Sequence, residues 1–302
     1  MSQRNIKDTT NFFFIDYGDV IDLGVRQFKV TGHERESRFG MDEPKYWVKK
    51  AIDLKTGEKK ILKLSYFESF ETSIGGVKIN RFRNPKKEGD ILALVGSHPY
   101  FMHGKAYRDI KDNNIRVLDI VHGINFYNYI ASLEMDYNTY FKTLLPEIIQ
   151  RLINAFEAIR FLHVNGFNHG DIRNDHIIIE RETGNYVWID FDYDYQTSEN
   201  PFGLDLFGIG NILIYAVGMG FHNLYNIKND KKTYTNIIND LDPGDFAILD
   251  QSRFINLRRL YPIIPLVLND ILTHFSRRAN IYYELVEELI DDLYRCLYLG
   301  FG

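Results

Sequence analysis

The sequence predicts an α+β protein built as a small β-rich N-terminal lobe followed by a larger, mainly helical C-terminal lobe. Three observations carry that expectation. Before Gly123 the chain alternates short β-rich runs with polar turns. Beyond it, apolar residues from Leu144 to Leu162 recur at helical spacing for about five turns. The 302 residues, 45% apolar and 25% charged, suit about two globular domains and exclude collagen, coiled coil and disorder throughout.

In chain order, Phe12 to Ile15 and Val20 to Leu23 are apolar runs expected to pack as strands on the small lobe, and Gln27 to Thr31 belongs to a first strand. Tyr46 to Leu54 and Lys59 to Ser65 flank Lys55-Thr56-Gly57-Glu58, the pattern of a β-hairpin. The Gly-rich, polar stretch Ser73 to Asn84 reads as a loop, and Asn84 to Val95 as a helix ended by His98-Pro99. Phe101 to Ile110 and Asn114 to Val121 read as two more strands. The long helix carries Pro146 in its first turn, where proline is tolerated, and stops at Asn165-Gly166. Two short strands follow, His176 to Glu180 and Tyr186 to Asp190. From Asp205 the chain reads as mostly helical, broken by the polar stretch Lys228 to Asp245. The expected division is 1–38 as an N-terminal extension with the first strand, 39–122 as the small lobe and 123–302 as the large one.

Several function classes are excluded at this level. A net charge of −5 gives no basic field for nucleic acid or an anionic membrane. The longest apolar runs fall far short of the roughly 18 residues of a membrane span. Met1 to Asn11 is polar and precedes no apolar core of signal-peptide length. One cysteine, Cys296, allows neither an internal disulfide nor a cysteine zinc site. The expectation is a cytoplasmic protein with no membrane span and no nucleic-acid partner.

Two acids stand out by context. Asp171 lies in His169-Gly170-Asp171-Ile172-Arg173-Asn174-Asp175-His176, between the long helix and a strand, and Asp190 ends the next strand in Trp188-Ile189-Asp190-Phe191-Asp192. A strand pair can bring both to one edge. Two carboxylates there suit a division of labour: one orients a hydroxyl or takes its proton, the other holds a divalent cation. The structural alternative is that each caps a turn.

These residues resemble the motifs of the protein-kinase-like superfamily over roughly Phe39 to the C-terminus, in the manner of atypical, bacterial-type Ser/Thr protein kinases with a shortened activation segment. His169-Gly170-Asp171 looks like the catalytic-loop triplet, and Asp190-Phe191-Asp192, nineteen residues on, looks like DFG with its Gly replaced. Lys63 in Ile61-Leu62-Lys63-Leu64 resembles the lysine of the third strand, and Glu88 its helix partner. Leu118 to Gly123 resembles the hinge that binds adenine through its backbone, here at Asp119 and Val121. Asp205 to Gly210 resembles the opening of the anchoring helix of the large lobe. The resemblance implies ATP as cofactor with Mg²⁺, or Mn²⁺, and a hydroxyl acceptor on a protein or small molecule. Lys63 would hold the α/β-phosphates, Glu88 would position Lys63, Asp171 would be the base, Arg173 would neutralise the transferred group, and Asp190 would carry the metal.

Four departures modify these expectations. The phosphate-loop region Phe39 to Val48 has only Gly40 and includes Asp42 and Glu43, which would repel phosphate. His176 stands where the family has a metal-binding Asn, so the metal is expected on Asp190 with Asp192, ordered by His176. Asp190 and Asp205 are 15 residues apart, too close for a full activation segment. That spacing keeps an aminoglycoside-, choline- or sugar-type kinase open as an alternative, and the glycine-poor loop keeps a pseudokinase open. Finally, the first 38 residues precede the recognisable core.

Overall fold

The computed structural model describes all residues except 1–3, 39, 40, 231–233, 236, 238, 301 and 302. It is a mixed α+β protein with a β-rich N-terminal sheet and a helical C-terminal part. The chain divides into two compact units. Unit 1 comprises 1–70, 82–122 and 191–194; unit 2 comprises 71–81, 123–190 and 195–302.

Unit 1 is organised by β1 (Asn5–Ile6), β2 (Val20–Asp22), β3 (Gln27–Arg38), β4 (Met41–Asp53) and β5 (Lys59–Lys63). After β6 (Ser69–Ile74) and β7 (Val77–Arg83) come the helix α1 (Pro85–Val95), then β8 (Gly104–Arg108) and β9 (Asn114–Asp119). Seven of these strands form one sheet in the order β1-β2-β3-β4-β5-β9-β8. Its buried face carries Ile21, Phe28, Val30, Leu62 and Ile115, all fully buried. Each such side chain stabilises the fold by about 1.5–3 kcal/mol through burial alone.

The N-terminal residues are part of this core, not an appendage to it: Phe12 and Ile15 pack into the same cluster. A buried amine explains why. Lys49 Nζ donates to the carbonyls of Phe12 (2.9 Å) and Ile15 (2.6 Å) and lies 3.2 Å from His33 Nδ1. Residues 41–48, expected as a phosphate loop, lie in β4, paired with β3 down to Arg38↔Met41. Gly40 itself falls outside the described residues. Helix α1 begins as its sequence dictates: Asn84 Oδ1 accepts from Lys87 N at 3.0 Å, and Pro85 occupies the first turn.

The stretch Ser73 to Asn84 is not a loop. Gly75 and Gly76, at φ 57° and 88°, turn β6 into β7. Val77, Ile79, Arg81 and Arg83 alternate along one face of β7, the period of a strand. The glycines draw attention to the turn, but the alternation beside them is the stronger signal.

Unit 2 contains β10 (Gly123–Asn125), α2 (Phe126–Ala131), α3 (Tyr137–Thr143), α4 (Leu145–Val164), β11 (Ile177–Glu180) and β12 (Tyr186–Trp188). Beyond β13 (Tyr193–Gln196) come α5 (Gly203–Val217), β14 (His222–Asn223), α6 (Leu224–Asn229), β15 (Arg253–Phe254), α7 (Leu266–Thr273) and α8 (Val286–Gly300). Helix α4 buries Leu152, Ile153, Phe156 and Ile159 completely. Between α5 and α7 the described residues form short elements and turns, so the region after Asp205 is less helical than its sequence predicts. Its asparagines, aspartates and glycines favour turns by bonding their own backbone, as at the Asp242 cap of Pro243–Asp245. Strands β10-β11-β12 form a small antiparallel sheet. Because Ile177 pairs with Trp188 and Ile189 N donates to His176 O at 3.0 Å, His176 and Asp190 emerge at the same edge. Trp188 Nε1, donating to Ala155 O at 2.8 Å, fastens that sheet to α4.

Candidate functional site

In unit 1 the folding of α1 against β8 and β9 buries a chain of alternating charges. Glu88 is completely buried and accepts from Lys63 Nζ at 2.7 Å and from Arg116 Nε at 2.9 Å. Lys63 Nζ lies 3.6 Å from Asp192 Oδ2, which also accepts from Arg83 Nη1 at 2.8 Å. Arg83 Nε in turn donates to Glu68 at 2.9 Å, and its guanidinium lies over Tyr193, 4.2 Å from the ring centroid. Tyr193 OH donates to the same Glu68 carboxylate at 2.8 Å; burial raises this phenol well above its usual range. Buried ions cost several kcal/mol each unless paired, and here every cation has a carboxylate. Asp192, expected beside a metal, is held between two cations instead; the sequence could not anticipate this because Arg83 lies 109 residues away.

Asp119 ends β9, bonded to Lys60 Nζ at 2.6 Å, and Val121 follows in the irregular link to β10.

In unit 2 the segment His169-Gly170-Asp171 is bolted to α5. Asp205, completely buried in the first turn of that helix, accepts from His169 N (2.6 Å) and Gly170 N (2.9 Å), and its Oδ2 is 3.0 Å from His163 Nε2. Gly170 has φ 84°, a conformation that suits glycine. His169 is buried edge-on against Trp188, with Nδ1 3.3 Å from Asp171 N.

Three side chains converge at the strand edge. His176 Nδ1 lies 2.8 Å from the Asp171 carbonyl and 3.5 Å from Asp171 Oδ2, while its Nε2 lies 3.6 Å from Asp190 Oδ2. A carbonyl only accepts, so Nδ1 carries a proton and donates to it, which turns Nε2 toward Asp190. Asp190 takes φ 67°, a left-handed conformation that Asp tolerates better than most residues but that still costs about 1–3 kcal/mol.

A residue the sequence reading missed completes the group. Arg81 Nη2 donates to Asp171 Oδ1 at 2.8 Å and to Gly170 O at 3.0 Å. Arg173, by contrast, is exposed and forked onto Asp175 at 3.0 and 2.7 Å. Burial pushes the Asp175 carboxyl up, but the charges of His176 and Arg173 outweigh it and hold the group below its usual range. The structure therefore brings Lys63, Glu88 and Asp192 together in unit 1, and Asp171, His176 and Asp190 together in unit 2.

Among the described residues, no group of three or more His, Cys, Asp or Glu side chains is arranged to hold a metal on its own. Magnesium usually takes only one or two carboxylates and fills its shell from phosphates and water. Asp190 suits that partial role, and the imidazole nitrogen of His176, 3.6 Å from Asp190 Oδ2, is a donor type that suits a transition metal such as manganese. Asp192 does not fit it.

No family model matches the chain, and no curated protein matches it. Among solved structures, it is similar to the crystal structure of Rad53 1–466 in complex with AMP-PNP, with 16% identity and a TM-score of 0.48 over 90% of this chain. It spans 64% of the length of that solved chain. No helix among the described residues is long and apolar enough to cross a membrane.

Proposed function

We propose that the chain is a phosphotransferase of protein-kinase-like fold that moves the γ-phosphoryl group of ATP to a hydroxyl. The observation that carries this reading is the convergence of Asp171 and Asp190 on His176 at one strand edge, with Asp190 in a strained backbone conformation. The buried Lys63–Glu88 pair supports it from unit 1, since an ammonium held by a carboxylate is a fixed point charge for phosphate. Backbone groups at Asp119 and Val121 would take adenine.

In the reaction Asp171 accepts the proton of the acceptor hydroxyl as its oxygen bonds to the γ-phosphorus, and the bond to the β-γ bridging oxygen breaks to release ADP. Asp190, with His176, would hold Mg²⁺ or Mn²⁺, which supplies charge neutralisation at the phosphates. Arg173 would neutralise the transferred group only after leaving Asp175.

The family resemblance makes a serine or threonine side chain the nominal acceptor. A second reading, a small-molecule acceptor, is favoured by the direct run from β13 into α5, which leaves little chain for docking a polypeptide.

The test uses the purified chain with Mn²⁺ or Mg²⁺ and γ-labelled ATP. The expected result is label transfer, with Asp171→Asn slowing it by about 10²–10⁴-fold while nucleotide binding persists. Equal rates for both proteins would remove Asp171 from the mechanism; absence of any nucleotide binding would favour a pseudokinase.

A further inference from the structure

Within unit 2 lies a cavity of about 710 Å³, a size typical of small-molecule sites. Ile74, Val77 and Ile79 of the β6–β7 hairpin wall one side, and Leu204 and Phe207 of α5 wall another. The hairpin is seated firmly there. Ile74, Ile79 and Tyr195 form a buried cluster, and a Cβ at Gly75 would come within 2.7 Å of Ile248 Cδ1.

Two elements tie this cavity to Asp171. Along β7, side chains two apart share a face and are about 7 Å apart. Val77 and Ile79 therefore line the cavity on the face whose next member, Arg81, bonds Asp171. Along α5, Leu204 and Phe207 face the cavity, while their neighbours Asp205 and Gly208 face the catalytic loop. Asp205 bonds its backbone, and a Cβ at Gly208 would meet Ile172 Cβ at 2.7 Å.

The chemistry of the lining narrows the occupant. The walls are aliphatic and aromatic, with Tyr282 and Tyr283 among them, and no Lys or Arg lines the cavity. Its two charged residues are Glu199 and Glu284, both exposed, and neither carboxylate has an ion-pair partner among the described residues. Such a site repels anions and favours an apolar body bearing a cation, for which tyrosine faces add further attraction.

We propose that this cavity is the acceptor site and that the acceptor is a small, largely apolar amino alcohol, its hydroxyl directed toward Asp171 and its ammonium toward Glu199 and Glu284. The proposal rests on the phosphotransferase reading for its reaction but not for its binding. On transfer, the acceptor oxygen gains the phosphoryl group, its proton passes to Asp171 and ADP departs.

The experiment measures binding of phenylalaninol to the full chain by calorimetry, without nucleotide, against its anionic analogue phenyllactate. Phenylalaninol should bind and phenyllactate should not. Val77→Lys, which puts a cation into the wall, should weaken binding about tenfold or more. The Glu199→Gln, Glu284→Gln double variant, altered only at exposed positions, should weaken it several-fold. Failure of phenylalaninol to bind, equal binding of phenyllactate, or unchanged binding to both variants would overturn the assignment. Binding without ADP release in the presence of ATP would leave the cavity standing and remove the phosphotransfer reading. Phosphotransfer to another acceptor, unaffected by Val77→Lys, would do the reverse.

Discussion

Arg81 shows how much of the candidate site depends on a residue with no motif of its own. Its guanidinium bonds one oxygen of Asp171 and the carbonyl before it, so it fixes the rotation of the carboxylate that, in the proposed reaction, meets a hydroxyl. Charge-assisted bonds of this kind contribute about 1.5–3 kcal/mol. Arg81→Gln should therefore lower kcat by about 10–100-fold with little change in nucleotide affinity, read from steady-state rates beside a nucleotide titration. His176 carries a separate prediction. An imidazole nitrogen beside a carboxylate favours manganese over magnesium, whereas an amide oxygen is a harder donor. His176→Asn should shift the metal preference toward Mg²⁺; an unchanged Mg²⁺/Mn²⁺ activity ratio would show that residue 176 does not face the metal. Asp171 and Asp190 stand out in the sequence because short turns fix their surroundings, and Lys63 and Glu88 only through the motifs they resemble, since they lie 25 residues apart. Arg81 and Arg116 do not, because their partners lie 90 and 28 residues away and only folding brings them close.

At the scale of elements, the clearest difference between sequence and structure is the β6–β7 hairpin, read as loop because two glycines and several polar residues mask a period of two. The long helix α4 is legible from its apolar repeat, and β11 and β12 from β-branched and aromatic residues around a turn. The packing of residues 12–15 on the small lobe follows from their apolar run, although Phe12–Phe14 is a 3₁₀ turn and not a strand; the hold of Lys49 on it does not follow, since Lys49 looks like one more surface lysine in Lys49-Lys50. Burial lowers its ammonium from 10.5 to about 8, with only partial help from Asp16 and Asp19. The unfolded chain then binds more protons than the folded one between about pH 8 and 10.5, so this group makes stability rise with pH across that window. Lys49→Met should be less stable overall, because it leaves two buried carbonyls without a donor, and should lack that rise. Urea unfolding of both proteins from pH 7.5 to 10 measures it; parallel stability curves would mean that the amine is not desolvated as placed.

At the scale of the whole molecule, the chain passes between its two units five times, at 70/71, 81/82, 122/123, 190/191 and 194/195. A single cut at residue 123 gives neither unit in full. The consequence is specific for unit 1, because residues 191–194 supply Phe191, completely buried, and Asp192, the carboxylate between Lys63 and Arg83. A fragment ending at residue 122 would leave two buried cations short of a partner and remove a core aromatic, losses that together rival the 5–15 kcal/mol stability of an ordinary domain. Fragment 1–122 should therefore lack a cooperative melt and near-ultraviolet dichroism, although it contains every strand of the seven-stranded sheet. In the full chain, Asp192→Ala should lower stability by about 3–5 kcal/mol, read from its urea midpoint, since removing one partner of a buried pair strands the others. A fragment that melts cooperatively, together with a variant of unchanged midpoint, would show that the four residues after Asp190 are not part of the core of unit 1.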